Sequence, residues 1–138
     1  IYEAIFDRED QGPVYTNWLR GSYPTTEDAR KALEAGTLYV GEEDGALWGV
    51  VNLNGIQLPE YGKIPWSIPA EREEVGVIHT LCIHPAQSGK GYAKRMAAFC
   101  EETARAQGTP PPTACIPPSA TASPGERNFS FTDTSTRF

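Results

Sequence analysis

Val75-Gly76-Val77-Ile78-His79-Thr80-Leu81-Cys82-Ile83, then His84-Pro85-Ala86-Gln87-Ser88-Gly89-Lys90-Gly91-Tyr92-Ala93, then an apolar-striped run to Gln107, is the stretch on which the fold turns. β-Branched and apolar residues dominate the first part and predict a half-buried strand. Pro85 ends it, because proline lacks the N–H that a ladder needs. Beyond the turn, Ala93, Met96, Ala97, Cys100, Ala104 and Gln107 recur at three- and four-residue spacing, which predicts an amphipathic helix. Lys94, Arg95, Glu101, Glu102 and Arg105 fall largely on its outer side, and Gly108 stops it.

The turn between strand and helix carries the chemistry. Gly89 and Gly91 have no Cβ, so consecutive backbone N–H groups can converge on one point. With the positive end of the helix, those donors form a seat for an anion such as a pyrophosphate. Gly-x-Gly after a strand is also an ordinary turn. The anion seat is favoured by the features that come with it: the strand, Pro85, the basic residues Lys90, Lys94 and Arg95, and the long helix.

Within the strand, period two puts Val75, Val77, His79, Leu81 and Ile83 on one face and Gly76, Ile78, Thr80 and Cys82 on the other, an assignment that a bulge would change. Glu73 and Glu74 stand just before it. Further upstream, Leu38–Gly41 and Ala46–Leu53 read as two strands joined through Glu42-Glu43-Asp44-Gly45, whose Asp-Gly pair is a hairpin signal. Asn52 and Asn54 near its end either face a ligand or form a turn. A helix with Ala29, Ala32 and Leu33 on its apolar face is capped by Thr25 or Thr26 and stopped by Gly36. Ile1–Glu9 reads as the end of an amphipathic helix broken by Gly12-Pro13. Val14, Tyr15, Trp18 and Leu19 predict a second short helix over 14–21.

Gly55–Arg72 holds Pro59, Pro65 and Pro69 and has no period. A connection of that length in a small domain is expected to be functional. Its Glu60, Tyr61, Trp66 and Glu71 suit either a pocket for an amine or a protein contact surface.

From Thr109 the composition changes: six of the sixteen residues to Pro124 are proline, which predicts polyproline or disorder. The chain therefore divides into a domain over 1–108 and a Pro/Ser/Thr-rich tail over 109–138, where Asn128–Thr132 is the one stretch that reads as a strand. Chain length, 138 residues, allows one core. A net charge of −6 argues against a nucleic-acid surface. Cys82, Cys100 and Cys115 have no metal-ligand spacing and read as buried thiols, so no metal is expected. With no leader or membrane-spanning stretch the protein is read as cytoplasmic and without a membrane partner. Because the chain starts at Ile1, it is read as a fragment lacking its own first strand.

Over about residues 25–108, and most closely from Val75 to Gly108, the chain resembles the GNAT superfamily of N-acetyltransferases. The superfamily's loop reads Arg/Gln-x-x-Gly-x-Gly/Ala; Gly91 and Ala93 take its small-residue positions, Ser88 stands where Arg or Gln is usual, and Gln87 falls one place early. The resemblance implies an α/β (α+β) fold, a mixed and mostly antiparallel sheet flanked by helices. It implies acetyl transfer from acetyl-coenzyme A to a primary amine by direct attack. The cofactor would lie along Leu81, Cys82 and Ile83, with Leu81 and Ile83 in main-chain contact, and on Gln87, Ser88, Gly89, Lys90, Gly91, Tyr92, Ala93 and Lys94. A bulge in the strand is usual in the family. Glu74, Glu73 or His79 would take the proton. Trp18, Tyr23, Tyr61 and Trp66 would face an amine-bearing small molecule or peptide.

The same resemblance calls for a further strand after Gly108, then a helix bearing Asn and Tyr, then two more strands. The tail has none of these patterns, and no tyrosine follows Tyr92. A shifted frame, a truncated gene or strands lent by a partner chain, such as a homodimer mate, would account for that. Without the tyrosine, a catalytically impaired acyl-coenzyme A sensor or protein-interaction module of the same fold is the competing reading.

Overall fold

The structure, a computed structural model, describes residues 1–65, 70–107 and 131–133. Among these residues three α-helices flank one sheet: α1 (Tyr2–Glu9), α2 (Thr26–Glu34) and α3 (Tyr92–Ala106). The strands are β1 (Leu38–Glu43), β2 (Ala46–Asn54), β3 (Val77–Ile83) and β4 (Phe131–Asp133). They lie in the order β3-β2-β1-β4, and every neighbouring pair is antiparallel. The α/β class with a mostly antiparallel sheet is the one the sequence predicts. Trp66 and Cys115 lie outside the described residues, as does the prolyl tract of the tail.

Local chemistry explains the elements that form where expected. Thr25 caps α2 in a capping box: its side chain accepts from the Asp28 amide, and the Asp28 carboxylate accepts from the Thr25 amide at 2.8 Å. Gly36, at φ +68°, ends the helix. Asp44 and Gly45 both adopt left-handed angles, as a two-residue hairpin turn demands, so β1 runs on through Glu42 and Glu43.

The predicted helix over 14–21 is absent. The Glu9 carboxylate accepts from the amides of Tyr15 and Thr16, at 2.8 and 3.0 Å, and from the Thr16 hydroxyl. Asn17 is left-handed. Arg20 then reaches back to Glu3, Asp7 and Asp10 and lies over the Phe6 ring, clamping the segment to α1. Tyr15 and Leu19 remain 74% and 70% exposed, so the apolar spacing there does not mark a buried face.

Two bulges decide which side chains share a face. Gly41 pairs Gly49 while Glu42 pairs Leu47, which leaves Trp48 as the extra residue in β2. Val50 pairs Cys82 while Asn52 pairs His79, so Thr80 and Leu81 together face Val51. Trp48, Val51 and Leu53 pack with Tyr92, Met96 and Cys100 under α3, joined by Ile78, Leu81 and Ile83. Val50 and Cys82 pack on the other face with Ala32 and Leu38, against Tyr2, Ile5 and Trp18. The strict alternation that placed Ile78 with Cys82 is thereby corrected: the extra residue turns Ile78 to the side of Leu81 and Ile83.

Candidate functional site

The loop between β3 and α3 is built from its own short-range bonds. His84 Nδ1 accepts from the Ala86 amide at 3.2 Å, and the amides of Gln87 and Ser88 donate to His84 and Pro85 carbonyls. After Ser88 this changes. Among the described residues, Ser88 and Gly89 form a turn closed at Lys90, the amides of Gly89, Gly91, Ala93 and Lys94 meet no main-chain or side-chain acceptor, and α3 begins with no side-chain cap. Gly89 and Gly91 stand at φ +79° and +82°, where other residues are strained. An added Cβ would meet open space at both, so the glycines serve the turn of the backbone. α3 has no acidic residue in its first turn, and its dipole favours an anion there. Exposed amides in that number fit the diphosphate of a coenzyme.

Side chains frame this seat. The Tyr92 ring stacks on Trp48, and its hydroxyl donates to the Glu43 carboxylate. The Arg95 guanidinium lies 5.5 Å from the Tyr92 ring centroid and 5.8 Å from that of Trp48. Lys90 Nζ donates to Gln87 Oε1 at 2.7 Å. A cavity of about 260 Å³ lies between Gln87, Lys90 and Tyr92 on one side and Glu43, Asp44 and Trp48 on the other.

The three candidate bases are separated by the fold. Glu73 and Glu74 sit in a 3₁₀ turn, Arg72–Glu74, rather than at the head of the strand, which starts at Val77. The Glu74 carboxylate accepts from the Glu71 amide at 2.9 Å, so it shapes the turn. Glu73 borders a cavity of about 320 Å³ together with Leu53, Ala104 and Gln107. Those partners place it beside the far end of α3, a helix of 15 residues spanning roughly 22 Å from the anion seat.

His79 is on the opposite face. Its β2 partner Asn52 is two residues from Val50 along a regular stretch, and Val50 packs toward α2. His79 Nε2 lies 3.1 Å from the Ile56 carbonyl. A carbonyl only accepts, so in the neutral ring Nε2 carries the proton and Nδ1 keeps a lone pair. Asn54 Nδ2 donates to Asn52 Oδ1, and Asn54 Oδ1 accepts from the Ile56 amide, so both asparagines organise the start of the loop over His79.

Aromatic side chains gather on that face. Trp18 makes edge contacts with Tyr2 and Tyr23, at 6.3 and 6.5 Å between centroids. Tyr23 is half exposed, and burial, Asp28, Cys82 and Tyr61 in that order raise its phenol above its ordinary value. Tyr2 Oη lies 3.5 Å from Thr80 Oγ1. Thr80 stands at φ +47°, a costly angle for a β-branched residue and one that concentrates at functional sites. Trp18 therefore joins Tyr2 and Tyr23, Tyr2 reaches Thr80, and His79 stands next to Thr80 in β3 on the same face of the sheet. Nothing in the sequence singles out Tyr2 or Thr80: Tyr2 lies within the expected Ile1–Glu9 helix, and nothing local marks Thr80. Leu81 and Ile83 face α3, and among the described residues their strand is at an edge of the sheet. Cys82 is buried, its thiol donating to the Thr80 carbonyl at 3.0 Å.

Among the described residues no group of His, Cys, Asp and Glu is placed to hold a metal ion, and no helix is long and apolar enough to cross a membrane.

The model of the acetyltransferase (GNAT) family matches residues 3–116, a span that takes in α1 and α2 and runs past Gly108. No curated protein matches the chain. Among solved structures, the chain is similar to a Staphylococcus aureus Mu50 protein provisionally assigned as an acetyltransferase. The two share 24% identity with a TM-score of 0.59, over 78% of this chain and 63% of that one, a likeness of fold.

Proposed function

This chain belongs to the acetyltransferase (GNAT) family, and from that premise we propose that it transfers an acetyl group from acetyl-coenzyme A to a primary amine by direct attack. The observation that carries the proposal is the set of amides at Gly89, Gly91, Ala93 and Lys94 that meet no acceptor among the described residues, at the start of an uncapped helix. Ser88, Gly89, Lys90, Gly91, Ala93 and Lys94 would hold the diphosphate, with Gln87 and Tyr92 bordering it. The edge of β3, at Leu81, Cys82 and Ile83, would align the acyl arm. Bound there, acetyl-coenzyme A supplies an activated acyl group.

The chain's residues divide the remaining work. Trp18 and Tyr23, with Tyr61 and Trp66 of the long loop, are proposed to receive the amine; cation–π attraction suits such rings to a positively charged acceptor. Main-chain donors at the bulge would polarise the carbonyl as charge develops on it. His79, through Nδ1, is the proposed base. It shares a face with the aromatic group, whereas Glu73 borders the far end of α3 and Glu74 is held by its own turn. Residues 1–108 are proposed to form the coenzyme-binding unit, with 109–138 a tail whose Phe131–Asp133 joins the sheet of that unit as β4.

Calorimetric titration with acetyl-coenzyme A, run beside Gly91→Asp, tests the reading. Saturable binding that the variant abolishes supports it; no binding to the parent chain overturns it. Thiol release over a panel of amines then separates an enzyme from an acyl-coenzyme A sensor, which would bind without turnover.

A further inference from the structure

We propose that Asn54 is the positioning residue of the base, acting on His79 through the main chain of Ile56; the inference rests on the acetyl-transfer reading above. Asn54 is the last residue of β2 and pairs with Val77 of β3, so the ladder fixes its main chain. Its side-chain oxygen accepts from the Ile56 amide at 2.8 Å, two residues on, and closes a side-chain turn. The Ile56 carbonyl in turn stands 3.1 Å from His79 Nε2. His79 faces Asn52 across the ladder, and Asn52 Oδ1 accepts from Asn54 Nδ2 at 3.2 Å. The relay therefore starts and ends on one strand pair, with the loop as its middle link.

Burial does not set this loop. Gly55 is exposed, and Ile56 is 66% exposed although apolar. An isoleucine so placed gains little from packing, and the hydrogen bond at its amide decides where its carbonyl stands. Position 54 must offer an acceptor toward the Ile56 amide and a donor toward Asn52 at once. A carboxamide supplies both, and the pair fixes its orientation, since the reversed amide would set a donor against the Ile56 N–H.

The consequence falls on the ring. Held by Nε2, His79 keeps Nδ1 as its proton-accepting atom. When Nδ1 takes the proton that the amine sheds, the ring becomes an imidazolium, and the Nε2–H bond to the Ile56 carbonyl strengthens because its donor is then charged. A catalytic base is commonly oriented by a further group in this way. Asn54 supplies the orientation at one remove, without itself touching substrate.

The test compares the full chain with Asn54→Leu, which keeps the size and removes both bonds, and with Asn54→Asp, which keeps an oxygen facing Ile56. Two-dimensional proton–nitrogen spectra of the imidazoles are recorded at about pH 9, above the ordinary histidine range, and the His79 signals are those missing from His79→Gln. In the parent chain the two His79 nitrogens are expected far apart, one protonated and one bare. In Asn54→Leu they move toward each other as the freed ring exchanges its proton between them, and in Asn54→Asp they stay as in the parent. With acetyl-coenzyme A and the amine that the parent turns over fastest, Asn54→Leu is expected to lower kcat about tenfold with little change in KM, and Asn54→Asp to restore it to within about threefold. A residue that only supports the fold would lower the melting temperature and leave the imidazole spectrum of the folded protein as it was. A parental spectrum in Asn54→Leu, or equal losses of kcat in the two variants, overturns the role of Asn54 alone. A parent chain that releases no thiol with any amine overturns the acetyl-transfer reading and this one with it.

Discussion

The indole of Trp48 stacks on the ring of Tyr92, with centroids 4.5 Å apart and planes 21° from parallel. Trp48 is the extra residue of the β2 bulge, and Tyr92 is the first residue of α3. The contact therefore ties the sheet to the end of the helix whose amides are proposed to hold the diphosphate. Trp48→Ala removes a buried aromatic and is expected to cost about 3–5 kcal/mol, read as a lower midpoint in urea denaturation.

The same indole covers Gly41. A Cβ there would lie 2.2 Å from Trp48, deep inside contact distance. Gly41→Ala is expected to destabilise the protein by about 1–3 kcal/mol. Adding Trp48→Leu should recover part of the loss, because the two changes share one space; strict additivity in the double mutant would contradict the packing.

Cys82 and Cys100 are both buried, and burial pushes their thiols up to about 12 and about 11. Since the thiolate is the reactive form, both should resist alkylation at pH 8 in the native protein and react after denaturation, as peptide mapping by mass spectrometry will show. The sign for stability follows. The folded thiols ionise later than the unfolded ones, so their contribution is complete below the ordinary thiol range and is lost as pH rises from that range toward 11 and 12.

Removing the cap of α2 with Thr25→Ala is expected to cost about 1 kcal/mol by thermal or chemical denaturation. Hydrogen bonds from the Thr25 hydroxyl and amide lower the Asp28 carboxyl below its usual range. A lowered folded value contributes stability above the unfolded carboxylate range and loses it as pH falls through the folded value. The gap between Thr25→Ala and the parent chain should therefore narrow in acid; a constant gap down to pH 2 would show that the box is not what holds the helix.

If the chain acetylates amines with His79 as the base, as proposed, His79→Gln lowers kcat/KM about a hundredfold, the scale of a lost general base. Glu73→Gln and Glu74→Gln should each cost less. Steady-state kinetics on one amine ranks the three, and a larger loss at Glu73 would move the reaction to the α3 side of the sheet.

Much of the architecture was legible in the sequence because its signals act over a few residues. The left-handed Asp44-Gly45 pair, the Thr25–Asp28 box and the stripe from Met96 to Ala104 each need only their neighbours. The 14–21 segment misled for the same reason. Its apolar spacing is local, but Glu9 and Arg20, which hold it against α1, act across six to seventeen positions. Of the residues expected at a site, Trp18 packs against Tyr23, His79 lies on the same face of the sheet, and Glu73 borders the other face.

The sequence by itself determined where the strand, loop and long helix lie, and where the glycines free the main chain, since those depend on residue type and spacing. Tertiary structure alone decided which face each side chain of β3 occupies. One extra residue at Thr80–Leu81 reverses the alternation, and whether it exists depends on pairing with β2, a segment distant in the chain. The meeting of Tyr2 with Thr80, 78 positions apart, was settled in the same way.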